Sequence, residues 1–332
     1  MRTSTLLPLL AAVGGALAQF KKDGKSNVAV YWGQNSLNKP ESQKRLSSYC
    51  EGEDADIIIL AFVTQTRDAS GKGLGLNFAN LGGPCVLDPK NECVEIAKDI
   101  AVCKKNNKTV LLSLGGAVTQ QTDFANATTA EETAKNIWHM FGPKQQGSAA
   151  ARPFGEAVVD GLDLDFEKSI KHLPDFAKKL RELMDAGGKG KFFLSAAPQC
   201  PRDTALPVVA AQDALLRADV FDMVFVQFYN NPDCSIGGNF NFEAWNTWAE
   251  GTTSKPRVFV GVPGGETAAP GGGYEDKEKV GKAIAAVQKS AQLGGVMIWD
   301  ASQAWANTDF ISKIKTNMGG GSGPAPSKRA TP

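Results

Sequence analysis

Eight short apolar runs, separated by longer amphipathic segments, constrain the fold of this 332-residue chain more than any other feature. The runs are mostly continuous rather than alternating, as parallel strands covered on both faces should be. They span residues 27–32, 56–63, 109–114, 159–166, 191–197, 223–228, 257–262 and 295–299. Eight strand-then-helix units in a chain of this length predict an α/β fold, a single (β/α)8 TIM barrel with parallel strands.

The segments between these runs show helical spacing. In the segment 173–186, Phe176, Leu180 and Leu183 are apolar at spacings of four and three, and charged residues lie between them. Further helices are predicted over residues 94–105, 130–141, 275–292 and 308–318. The alternative, an open doubly wound sheet, usually has a glycine-rich phosphate turn after its first strand, and residues 33–36 do not form one.

The two ends of the chain differ in composition from the middle. Residues 1–18 read as a secretory signal peptide, with Arg2, an apolar core and the cleavage signal Ala16-Leu17-Ala18. Residues 319–332 form a Gly/Ser/Pro-rich tail that we expect to be flexible. The barrel is therefore expected over residues 19–318 of a secreted, extracellular protein without a transmembrane segment, and the tail leaves cell-wall attachment open.

Cysteine content fits this compartment, because six cysteines in a secreted chain predict disulfides. Fifteen pairings are open on spacing alone, although two of the cysteines flank a short polar segment and form a natural small staple. The six are Cys50, Cys85, Cys93, Cys103, Cys200 and Cys234, and the two that flank the polar segment are Cys85 and Cys93. The chain has no CxxC motif and only two histidines, so we expect no metal site and no cofactor.

The charge balance indicates which partners the chain can bind, and two sequons mark candidate glycosylation sites. The 36 basic and 35 acidic residues nearly cancel and form no basic stripe, which argues against nucleic acid and suits an uncharged substrate. Asn107 and Asn126 begin N-x-[ST] sequons and are candidate glycosylation sites. Asn107 is the weaker of the two because it adjoins a predicted buried strand. We expect the protein to be a monomer.

The segment 160–167, DGLDLDFE, ends the fourth predicted strand and carries the chemistry. Side chains alternate faces along a strand, so Asp163, Asp165 and Glu167 share one face, and the residues between them share the other. At a rise of ~3.3 Å per residue, the three acids climb about 13 Å along this face. In a barrel they would point inward, with Glu167 at the carboxyl-terminal mouth where barrel enzymes keep their active sites.

Such a row is difficult to explain as a solvated strand end. Inward carboxylates cost stability unless they are protonated, hydrogen-bonded or paired. Like charges at i, i+2 spacing raise one another's pKa, which can keep a carboxyl protonated near neutral pH. The row therefore predicts catalysis, whereas Asp160 has the opposite parity and is interpreted as structural.

The same segment resembles the D-G-x-D-x-D-x-E signature of glycoside hydrolase family 18. Three further segments resemble the other motifs of that family, each at or near the end of a predicted strand: 113–116 (SLGG), 227–231 (QFYNN) and 295–300 (GVMIWD). The stretch from about residue 27 to 318 is similar to the class III, hevamine-like chitinases of plants and fungi.

This resemblance implies an endochitinase that cleaves β-1,4-linked N-acetylglucosamine polymers, with chitin or its oligosaccharides as the bound partner. It implies the pairs Cys50–Cys103, Cys85–Cys93 and Cys200–Cys234. It also implies non-proline cis peptide bonds at 61–62 and 299–300.

The resemblance further implies a retaining, substrate-assisted mechanism, in which the N-acetyl group of the sugar attacks its own anomeric carbon. Glu167 would be the general acid and base, Asp165 would hold the acetamido N–H, and Asp163 would share a proton with Asp165. Tyr229 would donate its hydroxyl to the acetamido oxygen. Substrate-binding roles fall to the following residues: Trp299 as the floor of the site, Gln227 beside the acids, and Tyr31, Gln34 and Asn230 in more distant subsites.

Two other functions are compatible with such a barrel. One is a lectin-like or inhibitory protein that binds sugar or another enzyme with little catalysis, and the other is an endo-β-N-acetylglucosaminidase acting on N-glycans. The presence of Glu167 together with Asp165 and Tyr229 favours an enzyme over the lectin, and the other three motifs favour a chitinase over the glucosaminidase.

Overall fold

The computed structural model describes residues 20–66, 73–78, 93–148, 150–202 and 207–319. The predicted signal peptide, the tail beyond Gly319, and Cys85 lie outside the described residues. Within those ranges, no helix combines the length and the apolar character needed to cross a bilayer.

A closed barrel of parallel strands forms the centre of the molecule. Its strands pair in the order β1-β9-β8-β7-β6-β5-β4-β2, and β2 pairs again with β1. A two-residue strand, β3, runs antiparallel to the end of β2. The strands are β1 (Asn27–Trp32), β2 (Ile57–Gln65), β3 (Gly75–Leu76), β4 (Thr109–Gly115), β5 (Gly161–Asp165), β6 (Phe193–Ala196), β7 (Met223–Gln227), β8 (Arg257–Pro263) and β9 (Leu293–Trp299). The predicted TIM barrel is confirmed, with a barrel strand in each of the eight apolar runs.

Helices pack around the outside of these strands. They are α1 (Leu46–Tyr49), α2 (Val94–Lys105), α3 (Ala127–Phe141), α4 (Leu173–Ala186), α5 (Pro207–Leu216), α6 (Phe242–Gly251), α7 (Lys277–Ala286), α8 (Ala301–Ala304) and α9 (Phe310–Asn317). The predictions for α2 and α4 are confirmed to the residue. The helix predicted over 275–292 is wrong at its carboxyl end, because α7 stops at Ala286 and the chain turns back towards β9.

Side-chain parity separates two apolar layers. Leu162 and Leu164 of β5 and Phe166 beyond it belong to the cluster packed between strands and helices. The barrel interior holds a second cluster, in which Phe20 contacts the Phe193 ring edge-on at a centroid distance of 5.1 Å. The apolar positions of β5 thus face outward as predicted, and its acids face the barrel axis.

Three aspartates fasten the amino-terminal end of the barrel. Each immediately precedes one strand and accepts a backbone N–H from the neighbouring strand. The bonds are Asp56 from Val28 at 2.8 Å, Asp160 from Val110 at 2.9 Å and Asp222 from Leu194 at 2.9 Å. The structural interpretation of Asp160 is therefore confirmed.

Two of the implied disulfides are present. Cys50–Cys103 joins the end of α1 to α2, and Cys200–Cys234 joins the segments that follow β6 and β7. The implied pair Cys85–Cys93 stays a prediction, since Cys85 lies outside the described residues.

Both sequons fall in the described part of the chain. Asn126 is exposed, and its side-chain oxygen caps α3 by accepting the Thr129 N–H at 2.9 Å. Asn107 is half-buried, and Thr109 of its sequon is 2% exposed. Glycosylation at either asparagine stays a prediction, and the exposure favours Asn126.

Candidate active site

The row of acids points from β5 into the carboxyl-terminal half of the barrel. Asp163 is fully buried and Asp165 is 4% exposed, whereas Glu167, two residues past the end of β5, is half-buried at the mouth. The predicted parity is observed for Asp163 and Asp165.

Asp163 lies deepest and is held by hydroxyl groups from three other strands. Its carboxyl oxygens accept hydrogen bonds from Ser113 at 2.7 Å, Ser195 at 2.7 Å and Tyr31 at 2.8 Å. Burial raises the pKa of Asp163, and these three donors oppose that rise because they stabilise the ionised carboxylate.

Asp165, one step higher, has surroundings that disfavour its charge. Burial raises its pKa well above the ordinary range, and the negative charges of Glu167 and Asp163 add to the rise. One donor opposes this, the Gln227 amide at 3.1 Å. This balance favours the protonated form of Asp165 over the ionised one more than water does.

Glu167 also has a raised pKa, for which burial is the main cause. The amides of Gln199 and Gln227 oppose the rise, and the Gln199 Nε2 group donates to Glu167 Oε2 at 2.9 Å. Sequence reasoning missed Gln199. A signal was available, because Gln199 is a polar residue just past the carboxyl end of β6, where barrel enzymes place functional groups.

Tyr229 follows β7 and contributes a phenol to the same site. Burial raises its pKa well above the ordinary range, followed by the charges of Asp165, Glu167 and Asp300. The hydroxyl therefore keeps its proton at any physiological pH. Among the described residues no side chain is hydrogen-bonded to it, so this donor is available to a ligand.

Two stacked aromatic rings lie at the carboxyl-terminal end of the barrel. Trp299, half-buried at the end of β9, stacks on Phe62 with centroids 5.8 Å apart and an interplanar angle of 25°. Both residues adjoin cis peptide bonds, Ala61-Phe62 and Trp299-Asp300, as the family resemblance implied. A flat aromatic face of this kind suits the C–H face of a sugar ring.

Glycine allows the loop after β4 to lie directly on the acidic strand. Gly115 has a φ of +119°, and a Cβ there would collide with the carbonyl oxygen of Asp165. The adjacent Gly116 N–H donates to that same carbonyl at 2.8 Å. The segment 113–116 thus supports Asp163 through Ser113 and Asp165 through its backbone.

Tyr31 was predicted to line a distant subsite, but it lies inside the barrel. It is 1% exposed and donates to Asp163, so it supports the acids from within the barrel and the distant placement is wrong. Gln34 donates its amide to the carbonyls of Gly33, Ala61 and Asn77, which leaves only its carbonyl oxygen for a sugar.

Asn230 is exposed at the mouth, and its side-chain oxygen accepts the Gly271 N–H at 2.9 Å. This bond holds the loop after β8 beside Tyr229. Direct contact of Asn230 with substrate stays a prediction. Within the described ranges, no group of three or more His, Cys, Asp or Glu side chains is placed to hold a metal ion.

Carboxyls with raised pKa at the mouth of a TIM barrel are the catalytic groups expected of a glycoside hydrolase. Comparison with known proteins agrees: the model of glycosyl hydrolases family 18 matches residues 27–267, and the chain belongs to this family.

Relatives cover nearly the whole chain. Endochitinase 33 of Trichoderma harzianum is 38% identical over 326 residues, which span 94% of this chain and 97% of that protein. A class III chitinase of Arthroderma benhamiae is 36% identical over 332 residues, spanning 96% and 93% of the two chains. The crystal structure of the ICChI chitinase from Ipomoea carnea matches with a TM-score of 0.72 and 29% identity, covering 88% of this chain and 100% of that one.

Proposed function

We propose that this protein is an endochitinase that hydrolyses β-1,4 bonds between N-acetylglucosamine residues with retention of configuration, using Glu167 as general acid and base. The observation that carries the proposal is the pair Asp165 and Glu167, two carboxyls of raised pKa at the end of β5 and just past it, with the Tyr229 hydroxyl close enough to interact with both charges. The relatives named as chitinases support the choice of substrate.

Substrate assistance follows from where the acids lie. A retaining glycosidase with an enzyme nucleophile needs carboxyls on both faces of the sugar, about 5–5.5 Å apart. Here Asp165 ends β5 and Glu167 follows it by two residues, so both acids come from the same side of the site, and Asp165 is only 4% exposed. We therefore assign the nucleophile's role to the carbonyl oxygen of the substrate's own N-acetyl group.

Hydrolysis proceeds in two steps. In the first, the acetamido oxygen forms a bond to the anomeric carbon, the glycosidic C–O bond breaks, and Glu167 gives its proton to the leaving oxygen. In the second, water attacks the same carbon, Glu167 takes a proton from that water, and the oxazolinium-like ring opens to restore the N-acetyl group. Two inversions at one carbon give retention.

The surrounding groups stabilise this intermediate. Asp165 accepts the acetamido N–H, and Tyr229 donates its hydroxyl to the acetamido oxygen, so the group is held at both ends for attack. Gln227 keeps Asp165 in place through its 3.1 Å hydrogen bond. Trp299 provides the apolar floor under the reacting sugar.

Glu167→Gln tests the assignment. The amide keeps the shape of the acid but cannot donate a proton to the leaving oxygen, so hydrolysis should fall by about three orders of magnitude or more while oligomer binding remains. The measurement is turnover of a defined chitin oligomer, with product anomers followed by NMR, beside calorimetric binding. A near-wild-type rate in the variant, or an inverted product from the wild type, would defeat the assignment, and binding without turnover by the wild type would instead favour a lectin-like protein.

We also propose that the protein acts outside the cell. The predicted signal peptide and the disulfides Cys50–Cys103 and Cys200–Cys234 support an oxidising, extracellular destination. Expression with and without residues 1–18, followed by assay of the medium, tests this, and equal release of both forms would contradict it.

A further inference from the structure

We propose that Asn231 and Gln199 are positioning residues for Glu167: Asn231 fixes the orientation of the Gln199 side-chain amide, and that amide presents an N–H donor to one oxygen of the Glu167 carboxyl. We call these two side chains the amide relay. The inference rests on the proposed role of Glu167 as the general acid and base, and it names the groups that keep this carboxyl in place.

One backbone carbonyl determines which atom of each relay amide donates a hydrogen bond and which accepts one. The Asn231 Nδ2 group lies 3.3 Å from the Tyr229 carbonyl oxygen, which can only accept, so this end of Asn231 must be its NH2 group. The same NH2 group lies 3.0 Å from Gln199, which must therefore turn its oxygen Oε1 towards it. The opposite atom of the Gln199 amide, Nε2, then faces Glu167 Oε2 at 2.9 Å.

The backbone of Gln199 is held separately from its side chain. Gln212, 5% exposed, accepts the Gln199 N–H at 3.0 Å and donates to the Gln199 carbonyl at 3.1 Å. A substitution at the Gln199 side chain leaves both of these bonds intact. The relay can therefore be cut without removing the main support of the loop after β6.

The consequence for Glu167 concerns its protonation. A donor to a carboxylate favours the ionised form, so the relay lowers the pKa of Glu167 against the rise caused by burial. As an acid, Glu167 must hold a proton in the first step, and as a base it must release it before the second. The relay opposes the rise that would otherwise keep the proton on Glu167 when the second step needs a base.

Other charged groups around Glu167 stay unchanged when the relay is cut. Asp163 and Asp165 lie on β5, which ends two residues before Glu167, Tyr229 follows β7, and Asp300 follows β9. The adjacent Lys168 is exposed and donates to the Thr119 carbonyl at 3.0 Å, in the loop after β4. Gln199 contributes a neutral donor from the loop after β6, so any shift on its removal reports the lost hydrogen bond.

The experiment compares four proteins with the wild type: Gln199→Met, Asn231→Leu, the double variant, and Asn246→Ala as the control. Methionine matches glutamine in length and lacks a donor. Asn246 is an amide side chain, buried at 6% exposure, and it accepts the Gln292 N–H at 2.9 Å just before β9, at the opposite end of the barrel. Thermal unfolding of each variant checks that it is folded.

For Gln199→Met we expect the alkaline limb of the kcat/KM profile to move up by about one pH unit, the size of one charge-assisted hydrogen bond. The kcat value should fall about tenfold because the acid is no longer held in place, while KM stays unchanged. Asn231→Leu should shift the limb in the same direction. The double variant should match Gln199→Met alone, because Asn231 acts through Gln199.

Three results would overturn the relay: an unmoved alkaline limb in Gln199→Met, an equal shift in Asn246→Ala, or effects of the two relay substitutions that add. If Gln199→Met does not fold, Asn231→Leu carries the same test. If the wild type proves inactive, the proposed function fails separately. The relay is then still decided by an NMR titration of the Glu167 carboxyl, whose pKa must be higher in Gln199→Met than in the wild type.

Discussion

Asp163 and Asp165 are separated by one residue, yet their surroundings raise the pKa of Asp165 more than that of Asp163. The three hydroxyl donors around Asp163 stabilise a carboxylate, whereas Asp165 has a single amide donor and two neighbouring acids. Of the two, Asp165 holds a proton the more readily, and it is the one nearer the mouth. Environment divides the roles between two chemically identical side chains, as it does at other paired-acid sites.

Asp165 should cost the protein stability, and this gives a prediction. Because its pKa is raised on folding, the native state holds a proton that the unfolded chain has released, so its contribution to stability declines as pH rises from the unfolded pKa to the folded one. Asp165→Asn does not titrate. We expect its melting temperature to exceed that of the wild type at neutral pH, with the difference growing as pH rises through that window, while its activity is severely reduced.

Melting curves at a series of pH values, beside turnover on a chitin oligomer, provide the measurement. Asp160→Asn is the matched control, since Asp160 begins the same segment but lies at the amino-terminal end of the barrel, outside the acidic row. A variant at Asp165 that melts below the wild type throughout would contradict the argument.

Two disulfides of similar chemistry are attached to different elements. Cys200–Cys234 joins the segments after β6 and β7, which carry Gln199 on one side and Tyr229 and Asn231 on the other. Cys50–Cys103 joins α1 to α2 on the outside of the barrel. Their sequence separations are 34 and 53 residues, so their effects on the unfolded chain should be similar.

Replacing each pair by serine should separate the two roles. Either double substitution should lower the free energy of unfolding by about 2–4 kcal/mol. Only Cys200→Ser with Cys234→Ser should also lower kcat, because it releases the segments after β6 and β7, which carry Gln199 and Tyr229. Denaturant unfolding and steady-state kinetics on both variants test this, and a loss of kcat in Cys50→Ser with Cys103→Ser would count against it.

The hydrophobic pattern of the sequence predicted some helices better than others. The helix α4 has its apolar positions on one face between charged residues, so its bounds could be read directly. The helix α5 begins Pro-Val-Val-Ala-Ala and has little contrast between its faces, and it was missed. The four-residue helices α1 and α8 were missed as well, because one turn contains too few positions to show a period.

Over the whole molecule, the two ends of the barrel have separate tasks. Asp56, Asp160 and Asp222 join neighbouring strands in pairs at the amino-terminal end, β1 with β2, β4 with β5 and β6 with β7. The acids, Tyr229 and Trp299 occupy the carboxyl-terminal mouth. This division matches the general behaviour of TIM barrels, in which one face supports stability and the other supports chemistry.

Asp160→Ala tests this division inside the signature segment. It removes the acceptor of the Val110 N–H and the partner of Lys104, so the free energy of unfolding should fall by about 1–3 kcal/mol. The kcat value should stay at the wild-type level, since the site lies at the other end of β5. Denaturant unfolding and turnover decide it, and a loss of activity in a fully folded variant would show that Asp160 belongs to the site.

The sequence by itself determined the barrel, the inward face of β5 and the height of Glu167 at the mouth. These features depend on strand period and on the order of elements, which are local properties of the chain. Only the tertiary structure decided that Tyr31 lies against Asp163, 132 positions away, and that Gln199 lies against Glu167, 32 positions away. Such contacts depend on how the strands are staggered around the closed barrel, and that register is set by the packing of all strands together.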